Sequence, residues 1–268
     1  MGRVWMIGGT QESASLARSL VQANLPCVVS VTTDSARSLY PSSLLLTVWV
    51  GQLTQATITA FLRQYEIQVI LDASHPFAVE ISQFAIAAAT TTGISYLRFE
   101  RASIEPAPLP TTDSQTDDQD APRPIVFNHL SELLKTPLLT GQHVLLTLGY
   151  RYLPLFQPWQ TQATLYARIL PSPVALEAAI ASGFTPDRLI ALRPPISAQL
   201  ECALWQQWNI SVVVTKASGV AGGEDVKRQV AAELGVQLVI IDRPPIQYPE
   251  QVSDISTAIA FCQQHLLN

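Results

Sequence analysis

Four short runs concentrate residues able to do chemistry, and each follows directly on an apolar stretch. Gly8-Gly9-Thr10-Gln11-Glu12-Ser13 comes first, after Val4 to Ile7. Glycines at such a junction let the backbone approach a pyrophosphate, and the N–H groups that open the following helix can bind it. The spacing departs from G-x-G-x-x-G, because Ser13 stands near the place of the third glycine, and a simple tight turn has the same appearance. About twenty residues past a glycine turn, a dinucleotide site carries an acid for NAD, or arginine and hydroxyls for the 2′-phosphate of NADP. Here the run is Thr32-Thr33-Asp34-Ser35-Ala36-Arg37. Asp34 favours NAD, whereas Thr33, Ser35 and Arg37 together tip the balance towards NADPH, with NADH still open.

Asp72-Ala73-Ser74-His75-Pro76-Phe77 closes another apolar run. An imidazole at a strand end can donate to a ligand or move a proton, while a loop or capping histidine is the plainer alternative, and Asp72 equally suits backbone N–H groups of the next turn. Further on, Thr215-Lys216-Ala217-Ser218-Gly219 and then Ala221-Gly222-Gly223 repeat the design, a polar strand end before a glycine-rich turn. The chain holds three lysines, Lys135, Lys216 and Lys227. A lysine at a strand's carboxyl end offers a point charge to an anion, or merely snorkels from the edge. Arg98, Arg101, Arg168, Arg193 and Arg243 also stand at or just past expected strands, where together they suit a polycarboxylate.

The elements that must position these residues follow from alternation of short apolar runs with longer amphipathic ones, the pattern of parallel βα units. Strands are expected at 4–7, 28–32, 68–71 and 94–97, with helices at 12–23, 52–65 and 77–92. After a stretch rich in Pro, Thr, Asp and Gln, strands are expected at 144–148, 165–170, 189–192, 211–215 and 237–241. Helices follow near 173–182, 198–208, 224–234 and 253–267. The expected organisation is a nucleotide-binding Rossmann-like domain at 1–102, a loop or linker at 103–124, and a second α/β domain at 125–268. The only internal echo is Arg-Pro-Pro-Ile, at 193–196 and 243–246.

Composition agrees with a large folded core. The 268 residues are 48% hydrophobic and 14% charged, against roughly 25% charged in an average domain. Cys27, Cys202 and Cys262 are too widely spaced for a disulfide framework or a CxxC zinc module. A net charge of −5 argues against general binding to nucleic acid or anionic membranes. Most of that acidity lies at 111–120, which carries four acids and no base. No apolar run reaches the ~18 residues of a membrane helix and the start lacks a signal-peptide pattern, so a cytoplasmic protein is expected.

Taken in order, GGTQE (8–12), ILDASHPFA (70–78), YLRFERA (96–102), RLIALRPPIS (188–197), VVTKASGVAGG (213–223) and VIIDRPP (239–245) resemble the precorrin-6A reductases of cobalamin biosynthesis, the cobalt-precorrin-6A reductases included. The resemblance covers most of the chain. It departs at Phe77, where the family usually has Tyr, at Thr147-Leu148-Gly149-Tyr150-Arg151, where TTGR is usual, and at the acidic insert 111–120. It implies two Rossmann-like domains with a ligand cleft between them, NADPH or NADH as cofactor, no metal, and hydride transfer to a double bond of a tetrapyrrole. The implied cofactor residues are Gly8, Gly9, Thr10, Glu12, Ser13, Thr33, Arg37, Gly51, Asp72 and Ser74. The substrate residues are His75, Pro76, Phe77, Arg98, Arg168, Arg193, Lys216, Ser218, Gly219 and Arg243, of which His75 and Lys216 orient and polarise the macrocycle. A short-chain-dehydrogenase-like reductase or epimerase would need Tyr-x-x-x-Lys, which none of the three lysines completes. A nucleotide-sensing module without turnover is the other alternative.

Overall fold

The computed structural model describes residues 2–100 and 122–266. Arg101, the acidic run 111–120 and all but 122–124 of the expected linker lie outside the described residues. Two compact units are present, Met1–Ala102 with Pro244–Asn268, and Ser103–Arg243.

The first unit opens with β1 (Arg3–Ile7), α1 (Gln11–Gln22), β2 (Cys27–Val31), β3 (Leu46–Val50), α2 (Gln55–Gln64), β4 (Ile67–Asp72), α3 (Val79–Thr92) and β5 (Ser95–Phe99). Alternation along β1 sends Val4 and Met6 to one face and Trp5 and Ile7 to the other, as the period of two in a strand requires. On the first face they meet Leu16 and Leu20 of α1, and on the second Phe61 of α2 and Ala85 of α3. A sheet covered on both faces explains why its strands read as unbroken apolar runs. β3 escaped the sequence reading because it is an edge strand, buried fully only at Leu46.

The second unit runs β6 (Ile125–Phe127), α4 (Leu130–Leu133), β7 (His143–Leu146), β8 (Thr164–Ile169), α5 (Pro173–Ala181), β9 (Leu189–Ala191), α6 (Ala198–Gln207), β10 (Val212–Lys216), α7 (Glu224–Leu234) and β11 (Gln237–Ile241). Its strands lie parallel in the order β6-β11-β10-β7-β8-β9. Leu145, Val213, Leu238 and Ile240 pack with Trp205 of α6 and Val230 of α7.

From Pro244 the chain returns to the first unit with β12 (Gln251–Val252) and α8 (Ile255–Leu266). β12 pairs with β5, completing the order β12-β5-β4-β1-β2-β3, while Ala258 and Cys262 of α8 enter the first core. The expected second domain at 125–268 is corrected accordingly: it ends at Arg243, and the helix foreseen near 253–267 belongs to the first unit. A two-residue strand has no periodicity to read, and helical spacing carries no mark of which sheet the helix covers.

Candidate functional site

In an open parallel sheet, ligands collect outside the carboxyl ends of the two strands where the order reverses. In the first unit those strands are β1 and β4, which end in Gly8-Gly9-Thr10 and Asp72-Ala73-Ser74-His75. Thr10 joins the two ends by donating its hydroxyl to the Ala73 carbonyl at 3.0 Å. It also caps α1, accepting from Ser13 N–H, while the Ser13 hydroxyl accepts from Thr10 N–H. These hydroxyls therefore build the turn, and the contact surface left for a ligand is backbone. Gly9 is exposed with φ +100°, and no atom lies within 4 Å of the place where its Cβ would stand. An open glycine at the N-terminus of a twelve-residue helix fits a dinucleotide pyrophosphate.

Tyr40, which the sequence reading did not single out, supports this turn from beneath. Its hydroxyl accepts from Gly9 N–H and meets the Ser13 hydroxyl, each at 2.7 Å. A Cβ on Gly8 would collide with that hydroxyl and with Val29. Next to it, Thr33, Ser35 and Arg37 are all exposed past β2, with the two hydroxyls 3.2 Å apart. Arg37 donates to Asp34 at 2.8 Å and to the Val48 carbonyl. Glu12 is half-buried in the first turn of α1. Gly51 accommodates the Trp49 ring, against which a Cβ would press.

Asp72 and Ser74, expected at the cofactor, and Arg98, expected at the substrate, are instead joined inside the first unit. Asp72 is fully buried, and its oxygens accept from Ser74 N–H, Arg98, Ser82 and Tyr96 at 2.6–3.0 Å. Arg98 is 1% exposed, bonds Glu100 and the Ser74 hydroxyl, and lies 5.1 Å from the centre of the Tyr248 ring. Burial disfavours its charge, but Asp72 and Glu100 more than offset this and raise its pKa. Burial, with Asp72 beside it, pushes the Tyr96 phenol far above its usual range. The network holds the loop in place: the Asp72–Ser74 bond turns the chain towards His75. That imidazole is half-buried, and its Nδ1 accepts from Phe77 N–H at 3.2 Å, which puts the proton of the neutral ring on Nε2. Pro76 is buried and Phe77 half-buried.

In the second unit the order reverses between β7 and β10. Lys216 ends β10 as Asp72 ends β4, so the equivalent strand closes with an ammonium instead of a carboxylate. Burial, and then Arg151, lower its pKa to about 8. Ser218 is buried, its N–H turned back to the Lys216 carbonyl at 2.7 Å, and Gly219 donates its N–H to Glu224. Arg243 is half-buried and bonds the Ala217 carbonyl at 3.0 Å, tying the end of β11 to that of β10. Apolar residues stand exposed around these ends, Leu170 after β8 and Val220 after β10.

Beside them a cleft of about 110 Å³ is lined by Arg168, Pro194, Pro195, Glu201, Gly222 and Lys227, among others. Arg168, expected at the substrate, is 9% exposed and paired with the buried Glu201, which also accepts from Trp205. Its charge is therefore largely committed within the unit. Lys227, which the sequence reading passed over, donates to the Gly222 and Gly223 carbonyls, and burial lowers its pKa to about 8. Arg193 is exposed after β9.

Over residues 3–263 the sequence matches the family described as "Precorrin-6x reductase CbiJ/CobK". It is 47% identical to a cobalt-precorrin-6A reductase of Synechocystis sp., covering 99% of this chain and 98% of the relative. It is 31% identical to a cobalt-precorrin-6A reductase of Priestia megaterium, covering 91% and 92%. Among solved structures it resembles "CobK precorrin-6A reductase" with a TM-score of 0.78 and 24% identity, over 99% of this chain and 98% of that one, which shows a shared fold.

Proposed function

This chain belongs to the precorrin-6A reductase family, whose reaction reduces a CH–CH bond in cobalamin biosynthesis, and from that premise we propose how its own residues divide the work. The first unit holds the reduced nicotinamide cofactor, with the pyrophosphate on the turn at 8–13. The cofactor, when bound, supplies the hydride. Thr33, Ser35 and Arg37 receive a 2′-phosphate, which makes NADPH the preferred form. Both Arg37 and Asp34 are exposed, so their pair is worth under about 1 kcal/mol and yields readily to a phosphate. His75 presents Nε2–H to the substrate. In the second unit Lys216 meets a carboxylate or polarises the macrocycle, and Arg193, Ser218, Gly219 and Arg243 surround it.

One observation carries this division: the two switch points differ in chemistry. Open glycine backbone stands at the first, with the exposed hydroxyls of Thr33 and Ser35 past the neighbouring β2, suited to phosphate. A half-buried ammonium, arginines and exposed apolar residues stand at the second, suited to a flat apolar ring edged by carboxylates. The test is to incubate the protein with precorrin-6A or cobalt-precorrin-6A and with NADPH or NADH, following the absorbance of cofactor and macrocycle. NADPH should be oxidised in step with macrocycle reduction. Arg37→Ala should lower the affinity for NADPH about tenfold while sparing NADH, in keeping with one charged hydrogen bond. Equal loss for the two cofactors, or none, overturns the 2′-phosphate assignment.

A further inference from the structure

We propose that Tyr152 is a positioning residue for Lys216, holding the ammonium at the end of β10 through the face of its ring. This rests on the reading above, in which Lys216 meets the substrate, and adds a residue to it. Lys216 Nζ lies 4.3 Å from the centre of the Tyr152 ring, well inside the ~6 Å over which a ring face attracts a cation. The backbone of Lys216 is fixed by pairing with Ile241 in the neighbouring strand. Beyond its Cβ, however, a flexible stem carries the charge, which the pairing of the strand does not by itself place.

The ring itself is anchored. Gly149, at φ +85°, turns the chain out of β7 into a tight helical run, Tyr150–Trp159. Leu153, Phe156 and Trp159 of that run are buried and fasten it to the unit. Tyr152 is thereby presented from the end of β7 to the end of β10, across the switch point. Arg151, the preceding residue, repels the ammonium, and Tyr152 on the same turn attracts it, so the pair biases where it stands. The attraction uses the aromatic face and leaves the hydroxyl aside.

The experiment compares Tyr152→Leu, Tyr152→Phe, Lys216→Ala and Tyr152→Leu combined with Lys216→Ala, by steady-state kinetics on precorrin-6A with NADPH. Tyr152→Leu should lower kcat/KM about tenfold with cofactor affinity unchanged, and Tyr152→Phe should stay within about twofold of the parent. In the Lys216→Ala background, Tyr152→Leu should cause no further loss, since residues acting through one contact are not additive. Should Tyr152→Leu fail to fold, Tyr152→Met makes the same comparison. Equal losses in Leu and Phe, a full additional loss on top of Lys216→Ala, or no loss in a folded Tyr152→Leu protein each overturn the inference while Lys216→Ala remains impaired. An unimpaired Lys216→Ala enzyme overturns the underlying reading and the inference with it.

Discussion

Lys216 keeps its charge in surroundings that oppose it. Burial and Arg151 bring its pKa from 10.5 to about 8, so between those values the unfolded chain holds a proton that the folded one has released. Stability from this group therefore rises with pH across that window and is lost as the pH falls through about 8. Activity that needs the ammonium runs the other way. We expect kcat/KM on precorrin-6A to fall above pH of about 8, and the fall to move upward in Lys216→Arg, whose guanidinium does not titrate there. A pH–rate profile with the same alkaline limb in both proteins would contradict this. Asp72 and Asp34 make a second test, because each pairs with an arginine at nearly the same distance. Asp72→Asn leaves the buried Arg98 with Glu100 and the Ser74 hydroxyl and should cost about 2–3 kcal/mol of unfolding free energy. Asp34→Asn at the surface should cost under about 1 kcal/mol. Urea denaturation distinguishes them, and equal losses would show that burial does not decide the energy.

Among the elements, the turn from β1 into α1 separates two glycines that look alike in sequence. Gly9 has a conformation L residues avoid, but open space beside it; Gly8 has its neighbours Tyr40 and Val29 packed against it. Gly9→Val should keep the fold, lose about 1–3 kcal/mol to backbone strain, and abolish NADPH binding by blocking approach to the turn. Gly8→Ala should lose stability by displacing Tyr40. Fluorescence titration beside thermal melting checks both, and undiminished NADPH affinity in a folded Gly9→Val protein would remove the cofactor from this turn. The turn itself was legible in the sequence, as were most of the strands, because buried parallel strands must be apolar and helices must follow them. What Asp72 does was not. Its partners Ser82, Tyr96 and Arg98 come from α3 and β5, and spacing along the chain cannot show that they converge on one carboxylate. Tyr40 and Tyr152 were missed for the same reason: each matters only through the turn or strand end that it meets, which spacing along the chain does not show.

Across the whole molecule the five-strand order of β3-β2-β1-β4-β5 recurs as β9-β8-β7-β10-β11, a repeat of topology with almost no echo in residues. To each set a sixth strand is added out of turn. β6 follows β5 in the chain yet pairs with β11, and β12 follows β11 yet pairs with β5. A chain ending at Arg243 would thus lack α8 and the edge strand of its first unit while keeping the second intact. It should lose the calorimetric transition of the first unit, together with nicotinamide binding. A truncated protein that retained both would show that the returning segment is dispensable.

The same exchange sets a timetable for synthesis. Roughly 150 residues separate β5 from β12, which at about 5–20 residues per second is about 8–30 s of translation. Through that interval β5 waits with one edge unpaired, Arg98 lacks Tyr248 above it, and the places of Ala258 and Cys262 stand empty. The second unit, uninterrupted in sequence, has meanwhile emerged in full. The half of the protein made first is therefore the half finished last, and its exposed strand is the surface a nascent-chain chaperone would have to guard.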